Sequence, residues 1–380
     1  MSKMKIIFVT PYVSQTAGGL FTSVRLLAQK LSIKHEVEVF ALEDDRGKSD
    51  FHEWQPIVPR LFKIFPQTFG YGFSVPLVRA LARAQPDILH VHGIRMWPAT
   101  AARIVAQKKK IPLVISPRGQ LNEWPMERNR LRKKLMHFLF EDTNIRSTTF
   151  IHATCEAEKQ YIYNLGFNQP VEIIPNGVSC SEFDTFDSSS VFSKWPILKN
   201  KKVLLFLSNV HPRKGLDLLA PAWEKLRKKH SGWILAIAGT GESQYYEKVK
   251  NLYRDGANDN QVVFLGDVRG NEKIALYRLC ELFILPTHSE NFGNVIAEAM
   301  AACKPVITTK GTPWSCLADL KSGWWIDYDT QAIQQALKTA MCLSDEERIE
   351  MGQRGRQYVE KHLSWDILAD NLASMYEKYI

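Results

Sequence analysis

The stretch His288-Ser289-Glu290-Asn291-Phe292-Gly293-Asn294-Val295-Ile296-Ala297-Glu298-Ala299-Met300 sets two carboxylates on either side of a glycine. Gly293 and Asn294 stand where a helix begins, continued by Ala297, Ala299 and Met300, and the first turn of a helix leaves backbone N–H groups free for phosphate or sugar oxygens. Glu290 precedes that turn, and Glu298 lies about two turns beyond Asn291. A carboxylate accepts two hydrogen bonds and so suits the vicinal diol of a ribose or hexose. One glutamate alone reads as surface charge; two flanking such a helix start are harder to assign to the surface.

Three other loops carry similar chemistry. His211-Pro212-Arg213-Lys214-Gly215 puts two cations at a helix start, where they either meet phosphate oxygens or form a solvated basic turn. Read as an exposed loop residue, Lys214 should contribute little to folding. Ala238-Gly239-Thr240-Gly241 is a further small-residue loop. Ala17-Gly18-Gly19 runs into a helix and permits either close backbone approach to an anion or a plain turn. It lacks the G-x-G-x-x-G spacing of a dinucleotide site, and the sequence has no Walker A motif, so hydride transfer and P-loop hydrolysis lose ground. His92 stands before a glycine at a strand end, and His90 shares its face by strand alternation, where a neutral core histidine is the competing reading.

Short apolar runs alternating with helical patterns must position these loops. Strands are expected at Lys5–Val9, Glu36–Ala41, Ile88–His92, Leu113–Ser116, Thr149–Ala153 and Val171–Pro175. The pattern restarts with Lys202–Leu207, Trp233–Ala238, Gln261–Leu265, Leu282–Leu285 and Pro305–Thr308. Each is followed by a helix, for instance Leu20–Leu31, which implies α/β architecture with parallel, doubly wound sheets. The restart near Lys201 predicts two domains, 1–195 and 200–364, joined by a linker near 190–200, and leaves the helical segment 365–380 with no strand to serve. In such sheets ligands bind beyond the carboxyl ends of the strands.

Composition narrows the classes. The 380 residues, 45% hydrophobic and 23% charged, exclude a disordered chain. No apolar run approaches the roughly 20 residues of a membrane-spanning helix, and the four-residue run before Thr10-Pro11 is too short for a signal-peptide core. The six scattered cysteines suit a reduced cytoplasmic protein, without a disulfide frame or structural zinc. The net charge of +9 is uneven: ten basic residues against two acidic ones lie between Arg103 and Lys134.

The Glu290–Glu298 segment, preceded by Phe283-Ile284-Leu285-Pro286, resembles the Glu-x7-Glu motif of retaining glycosyltransferases of family 4. Ala17-Gly18-Gly19, His90-Val91-His92-Gly93, Ser116-Pro117-Arg118-Gly119, Ile174-Pro175-Asn176-Gly177-Val178, Pro212–Asp217 and Gly311-Thr312-Pro313-Trp314 agree in order. The likeness covers almost the whole chain and is closest to bacterial enzymes that build lipopolysaccharide, O-antigen and capsule chains. It implies the GT-B fold, two Rossmann-like domains facing across a cleft with the last helix, 365–380, crossing back to complete the first. It implies donor contacts from Gly18, Gly19, Asn209, Arg213, Gly239, Val268, Phe292, Gly293, Asn294, Val295 and Glu298, with Glu298 on the ribose. Glu290, Lys214, His92 and Arg118 become the catalytic set. Two positions depart from the family: Ser208-Asn209 replaces the usual arginine, leaving Arg213 or Arg118 as substitutes, and Cys303, read here as packing, replaces a usual glycine.

The activity so implied is retaining hexosyl transfer from a nucleotide-diphosphate sugar to a glycan or lipid-linked acceptor in surface polysaccharide synthesis. No cofactor, metal or nucleic acid is expected, since no D-x-D pair lies in a suitable loop. A nucleotide-sugar epimerase or hydrolase, and a non-catalytic sugar-nucleotide-binding relic, are the alternatives. The basic amphipathic stretch Arg128–Phe140, with Trp124, Met126 and the aromatics Phe62, Phe65, Phe69, Tyr71 and Phe73, reads either as a helix packed on its own domain or as a peripheral contact with an anionic membrane. The resemblance favours the latter, at the inner face of the plasma membrane.

Overall fold

The computed structural model describes residues 3–44, 46, 48–65, 71–121 and 140–380. The chain divides into two compact units, Met1–Gly177 with Trp365–Ile380, and Val178–Ser364. The expected stretch Arg128–Phe140, apart from its last residue, and Phe69, Trp124 and Met126 lie outside the described residues.

The first unit holds a seven-stranded sheet of β1 (Lys5–Thr10), β2 (Glu36–Leu42), β3 (Arg60–Phe62), β4 (Ile88–His92), β5 (Leu113–Ser116), β6 (Phe150–Ala153) and β7 (Val171–Ile173), in the order β3-β2-β1-β4-β5-β6-β7. Every pairing is parallel. A parallel sheet needs cover on both faces, so its strands read as unbroken apolar runs. In β1, Ile7 and Val9 enter one core with Leu89, Val91 and Ile115, while Ile6 and Phe8 enter another with Val24, Leu27 and Leu372.

The helix Trp365–Glu377 supplies that second core. Trp365, Leu368, Ala369, Leu372, Ala373 and Tyr376, spaced by three and four, are all buried against the helix Gly19–Leu31. Lys30–Asp366 (2.8 Å) and Lys34–Asp370 (2.7 Å) bridge the same contact at its exposed rim.

The second unit holds β8 (Lys202–Leu207), β9 (Trp233–Ala238), β10 (Val262–Gly266), β11 (Leu282–Leu285), β12 (Val306–Thr309) and β13 (Gly323–Ile326), in the order β10-β9-β8-β11-β12-β13. Numbered from β8 this is the 3-2-1-4-5-6 order of a Rossmann-type sheet.

The boundary falls at Gly177, not near 190–200. Phe183, Val191 and Leu198 are buried in the core of the second unit, so the segment after Gly177 is part of that unit and not a linker. Two strands, β3 and β13, were absent from the sequence reading. Both are sheet edges of three or four residues, and β13 is Gly-Trp-Trp-Ile with no fully buried position.

Candidate active site

In the second sheet the strand order reverses between β8 and β11, the crevice where such sheets bind ligands. The loops leaving these two strands are 208–215 and 286–293. They are tied together: the His288 N–H (2.7 Å) and the Thr287 hydroxyl (3.0 Å) both donate to the carbonyl of Arg213. The next residue, Lys214, closes a 3-10 turn, and its ammonium donates to Glu290 Oε1. The two side chains are only 9% and 14% exposed. Lys214 is therefore buried, contrary to the reading of an exposed loop lysine, because the turn directs it into the crevice and not outward.

A third loop, after β12, supports Glu290 from behind. The Glu290 N–H donates to the carbonyl of Gly311 (2.9 Å), and the Trp314 indole donates to the carbonyl of Phe292 (2.6 Å) with the rings 5.2 Å apart. Gly293 follows at φ 83°, a left-handed position that suits glycine, and caps the helix Asn294–Ala301. Phe292, Gly293, Asn294 and Val295 thus lead from Glu290 into the first turn of that helix.

Glu298 lies one face further along. Lys273 Nζ donates to its Oε1 (2.6 Å) and the Tyr277 hydroxyl to its Oε2 (2.9 Å). Burial and then the adjacent Glu298 carboxylate push the Tyr277 phenol well above its ordinary range, so it remains a donor. Each carboxylate oxygen holds one protein donor and keeps lone-pair capacity for a second. Nothing in the sequence marks Lys273 and Tyr277 as site residues. They are i and i+4 on the helix Gly270–Leu279, but nothing in the sequence links that face to a residue more than twenty positions onward.

The remaining donor-side candidates are less directly placed. Asn209 is exposed, its Oδ1 accepting from the Ser208 hydroxyl (3.3 Å). Arg213 is half-buried with Nε shut from solvent and unpartnered among the described residues. Val268 is buried beyond the end of β10. Gly239 serves the packing of two loops: a Cβ there would come 1.9 Å from the carbonyl of Ser208. That approach by itself requires a residue without a Cβ.

In the first unit the corresponding reversal is between β1 and β4. Gly18, at φ 57°, precedes the helix that Gly19 opens, with open space beside it. His92 ends β4 and is fully buried. Arg118, in the left-handed region at φ 55°, lies over it, donating from Nη2 to His92 Nδ1 (3.2 Å) and from Nη1 to Asn176 Oδ1. This fixes the His92 proton on Nε2, an atom closed to solvent, so His92 acts on anything outside only through Arg118.

His90 is also buried, in a chain of neutral groups. Tyr376 OH donates to its Nδ1 (2.6 Å), its Nε2 faces His152 Nδ1 (3.4 Å), and His152 Nε2 donates to the carbonyl of Ile174 (2.8 Å). Burial, then Arg118, holds His152 down to about 3, and burial also keeps His90 and His92 well below the usual histidine range. Burial lowers Arg118 to about 10, with Glu158 offsetting part of the effect. Among the described residues no three histidine, cysteine or acidic side chains gather as a metal cage.

Two family models match the chain in tandem, Glycosyltransferase Family 4 over residues 17–182 and Glycosyl transferases group 1 over residues 187–358. A GDP-mannose-dependent alpha-(1-6)-phosphatidylinositol monomannoside mannosyltransferase of Mycobacterium tuberculosis is 31% identical over 214 residues, 53% of this chain and 54% of that one. The alpha-monoglucosyldiacylglycerol synthase of Streptococcus pneumoniae is 24% identical over 338 residues, 81% of this chain and 71% of the relative. The matches span about half the length of the first few curated relatives, from 47% to 55%. In fold, the chain is similar to Anabaena HepE solved in complex with UDP and glucose, with a TM-score of 0.78, 18% identity, and coverage of 99% of this chain and 100% of the other.

Proposed function

The chain belongs to the glycosyltransferases of family 4, and on that premise we propose that it transfers a hexose from a nucleotide-diphosphate sugar to a hydroxyl of a glycan or lipid-linked acceptor, with retention, in surface polysaccharide synthesis. The observation that carries this reading is the buried Lys214–Glu290 pair at the strand reversal of the second sheet, beside the helix start at Gly293. A cation held in a nearly dry crevice is matched to charge that develops on a departing phosphate.

In the proposed step the bond from the anomeric carbon to the phosphate oxygen breaks, and the acceptor oxygen bonds to that carbon on the same face. The acceptor proton passes to the leaving phosphate, and a nucleoside diphosphate departs. Lys214 and the N–H groups of Gly293 and Asn294 stabilise the diphosphate, so the reading requires no metal. Glu290, neutralised by Lys214, is a poor nucleophile and serves to hold the ammonium and the sugar. Glu298, oriented by Lys273 and Tyr277, takes the ribose diol. On the acceptor side Arg118, backed by His92, is the group that meets the ligand. The UDP bound by HepE and the lipids named for the two curated relatives support the choice of a nucleotide-sugar donor and a lipid-linked acceptor; work at the cytoplasmic leaflet is part of this proposal.

The test is a panel of GDP-, UDP-, ADP- and dTDP-sugars screened for thermal protection, followed by nucleotide release with and without acceptor. Protection by one nucleotide class and acceptor-dependent release are expected. Release that ignores the acceptor would indicate hydrolysis or epimerisation, and binding without turnover a relic.

A further inference from the structure

A groove of about 420 Å³ opens on the first unit between the helix Val75–Ala84 and the strands β1, β2 and β3. Its volume falls in the roughly 300–1,000 Å³ range of small-molecule sites. Lys5 and Arg60 are the first residues of β1 and β3, so the groove lies at the amino ends of these strands. The loops with His92 and Arg118 leave the opposite ends.

Four cations line it, Lys5, Arg60, Arg79 and Arg83, against one carboxylate, Glu38. Glu38 is already shared, lying 3.0 Å from Lys5 and 3.2 Å from Arg60, and Lys5 takes Glu36 as well at 2.9 Å. Counting both glutamates and Asp87, whose carboxylate accepts from the Lys5 backbone N–H at 2.6 Å, one positive charge remains in surplus. Arg60 is also held in place, its guanidinium 4.7 Å from the Phe40 ring centroid. Arg79 and Arg83 are exposed and stand four residues apart on one helix face, a spacing at which like charges repel. Among the described residues neither forms an ion pair. Pro76, Ala80 and Ala84 of the same helix add small side chains to the floor of the groove.

A pre-positioned guanidinium, two outside these ion pairs and a small-residue floor make a receptor for a compact dianion. We infer that this groove is a second anion site, distinct from the donor loops of the other unit, and that it takes a phosphate monoester or diphosphate group through Arg60, Arg79 and Arg83. The phosphate belongs either to a soluble compound or to a lipid headgroup.

Isothermal titration of the full chain with inorganic pyrophosphate tests the inference at low salt. Three proteins are compared: the wild type, Arg79→Ala with Arg83→Ala, and Lys214→Met with Glu290→Gln, which removes the donor-loop pair together. Both arginines are exposed, so melting of the first variant should match the wild type. The expected result is a binding event that survives in the donor-loop variant and weakens by at least about tenfold in the arginine variant. Unchanged pyrophosphate binding in the arginine variant overturns the inference, as does a wild type whose only binding is lost with the donor-loop pair. Flotation with phosphatidylcholine vesicles containing phosphatidic acid, whose headgroup is a phosphate monoester, identifies the source. Capture that pyrophosphate competes away, and that the arginine variant loses, assigns the site to a headgroup; titration without capture assigns it to a soluble phosphate.

Discussion

Lys214 and Glu290 neutralise one another where little water reaches them, so changing either alone strands the other. Removing one partner of a buried pair typically costs about 3–5 kcal/mol, whereas replacing both with neutral groups of similar volume costs far less. Lys214→Ala is therefore expected to lose both turnover and stability, and Lys214→Met with Glu290→Gln to lose turnover while recovering most of the stability. Urea unfolding read beside acceptor-dependent nucleotide release checks this; an unaltered midpoint in Lys214→Ala would contradict the burial. Glu298 raises a subtler question, since its orientation depends on Tyr277. Tyr277→Phe keeps the ring and deletes one donor, so the donor KM should rise roughly five- to tenfold, about 1–1.5 kcal/mol, with kcat little changed. A variant that loses kcat instead would place Tyr277 in the chemical step. At this scale the sequence shows residue types at loop positions, which brings Glu290, Glu298 and Lys214 forward as candidates. It does not show inward or outward direction, which is why Lys214 reads as exposed, His92 as a contact residue and Lys273 not at all.

At the level of single elements, legibility follows how fully a strand is buried. Ile88–His92, Leu113–Ser116, Lys202–Leu207, Trp233–Ala238 and Leu282–Leu285 are central strands, almost wholly buried and mostly apolar, and the sequence pattern marks both their ends. The edges β3 and β13 carry no such pattern. Cys303 shows how an element can demand a residue that the sequence does not supply. It follows the helix Asn294–Ala301 at φ 59°, its N–H donating to the carbonyl of Met300 (3.0 Å), while the N–H of Lys304 donates to that of Ala299 (2.9 Å). This pair of bonds is the Schellman closure of a helix, and its left-handed residue is usually glycine. The steric demand comes from this backbone closure. A non-glycine side chain in that region costs about 1–2 kcal/mol, so Cys303→Gly should stabilise the protein by about 1 kcal/mol after loss of some side-chain packing. Equilibrium unfolding measures it, and a destabilised variant would show that the packing of the thiol outweighs the strain.

Across the whole molecule the two units are expected to differ in how they respond to acid. The first buries His90, His92 and His152 around Arg118 and Tyr376, a group closed by a helix almost 290 residues from His90 in sequence. No local pattern announces such a meeting; the sequence offers only His-x-His at a strand end and an apolar helix without a strand to follow. The consequence for stability has a definite sign. Each histidine is held neutral in the folded chain, His152 down to about 3, against about 6.5 when unfolded. Below pH 6.5 the unfolded chain binds more protons than the folded one, so stability is fully present above that pH and falls as the pH drops towards the folded values. The slope is about 1.4 kcal/mol per pH unit for each histidine involved. Between pH 7.5 and 5.5 the amide protection of Ile88–His92 and Phe150–Ala153 should fall, after correction for intrinsic exchange, more than that of Lys202–Leu207 and Leu282–Leu285. Tyr376→Phe should keep this slope, because burial and not the phenol is the main cause of the shifts. Equal loss of protection in both sheets would count against the buried histidines as the source of acid sensitivity in the first unit.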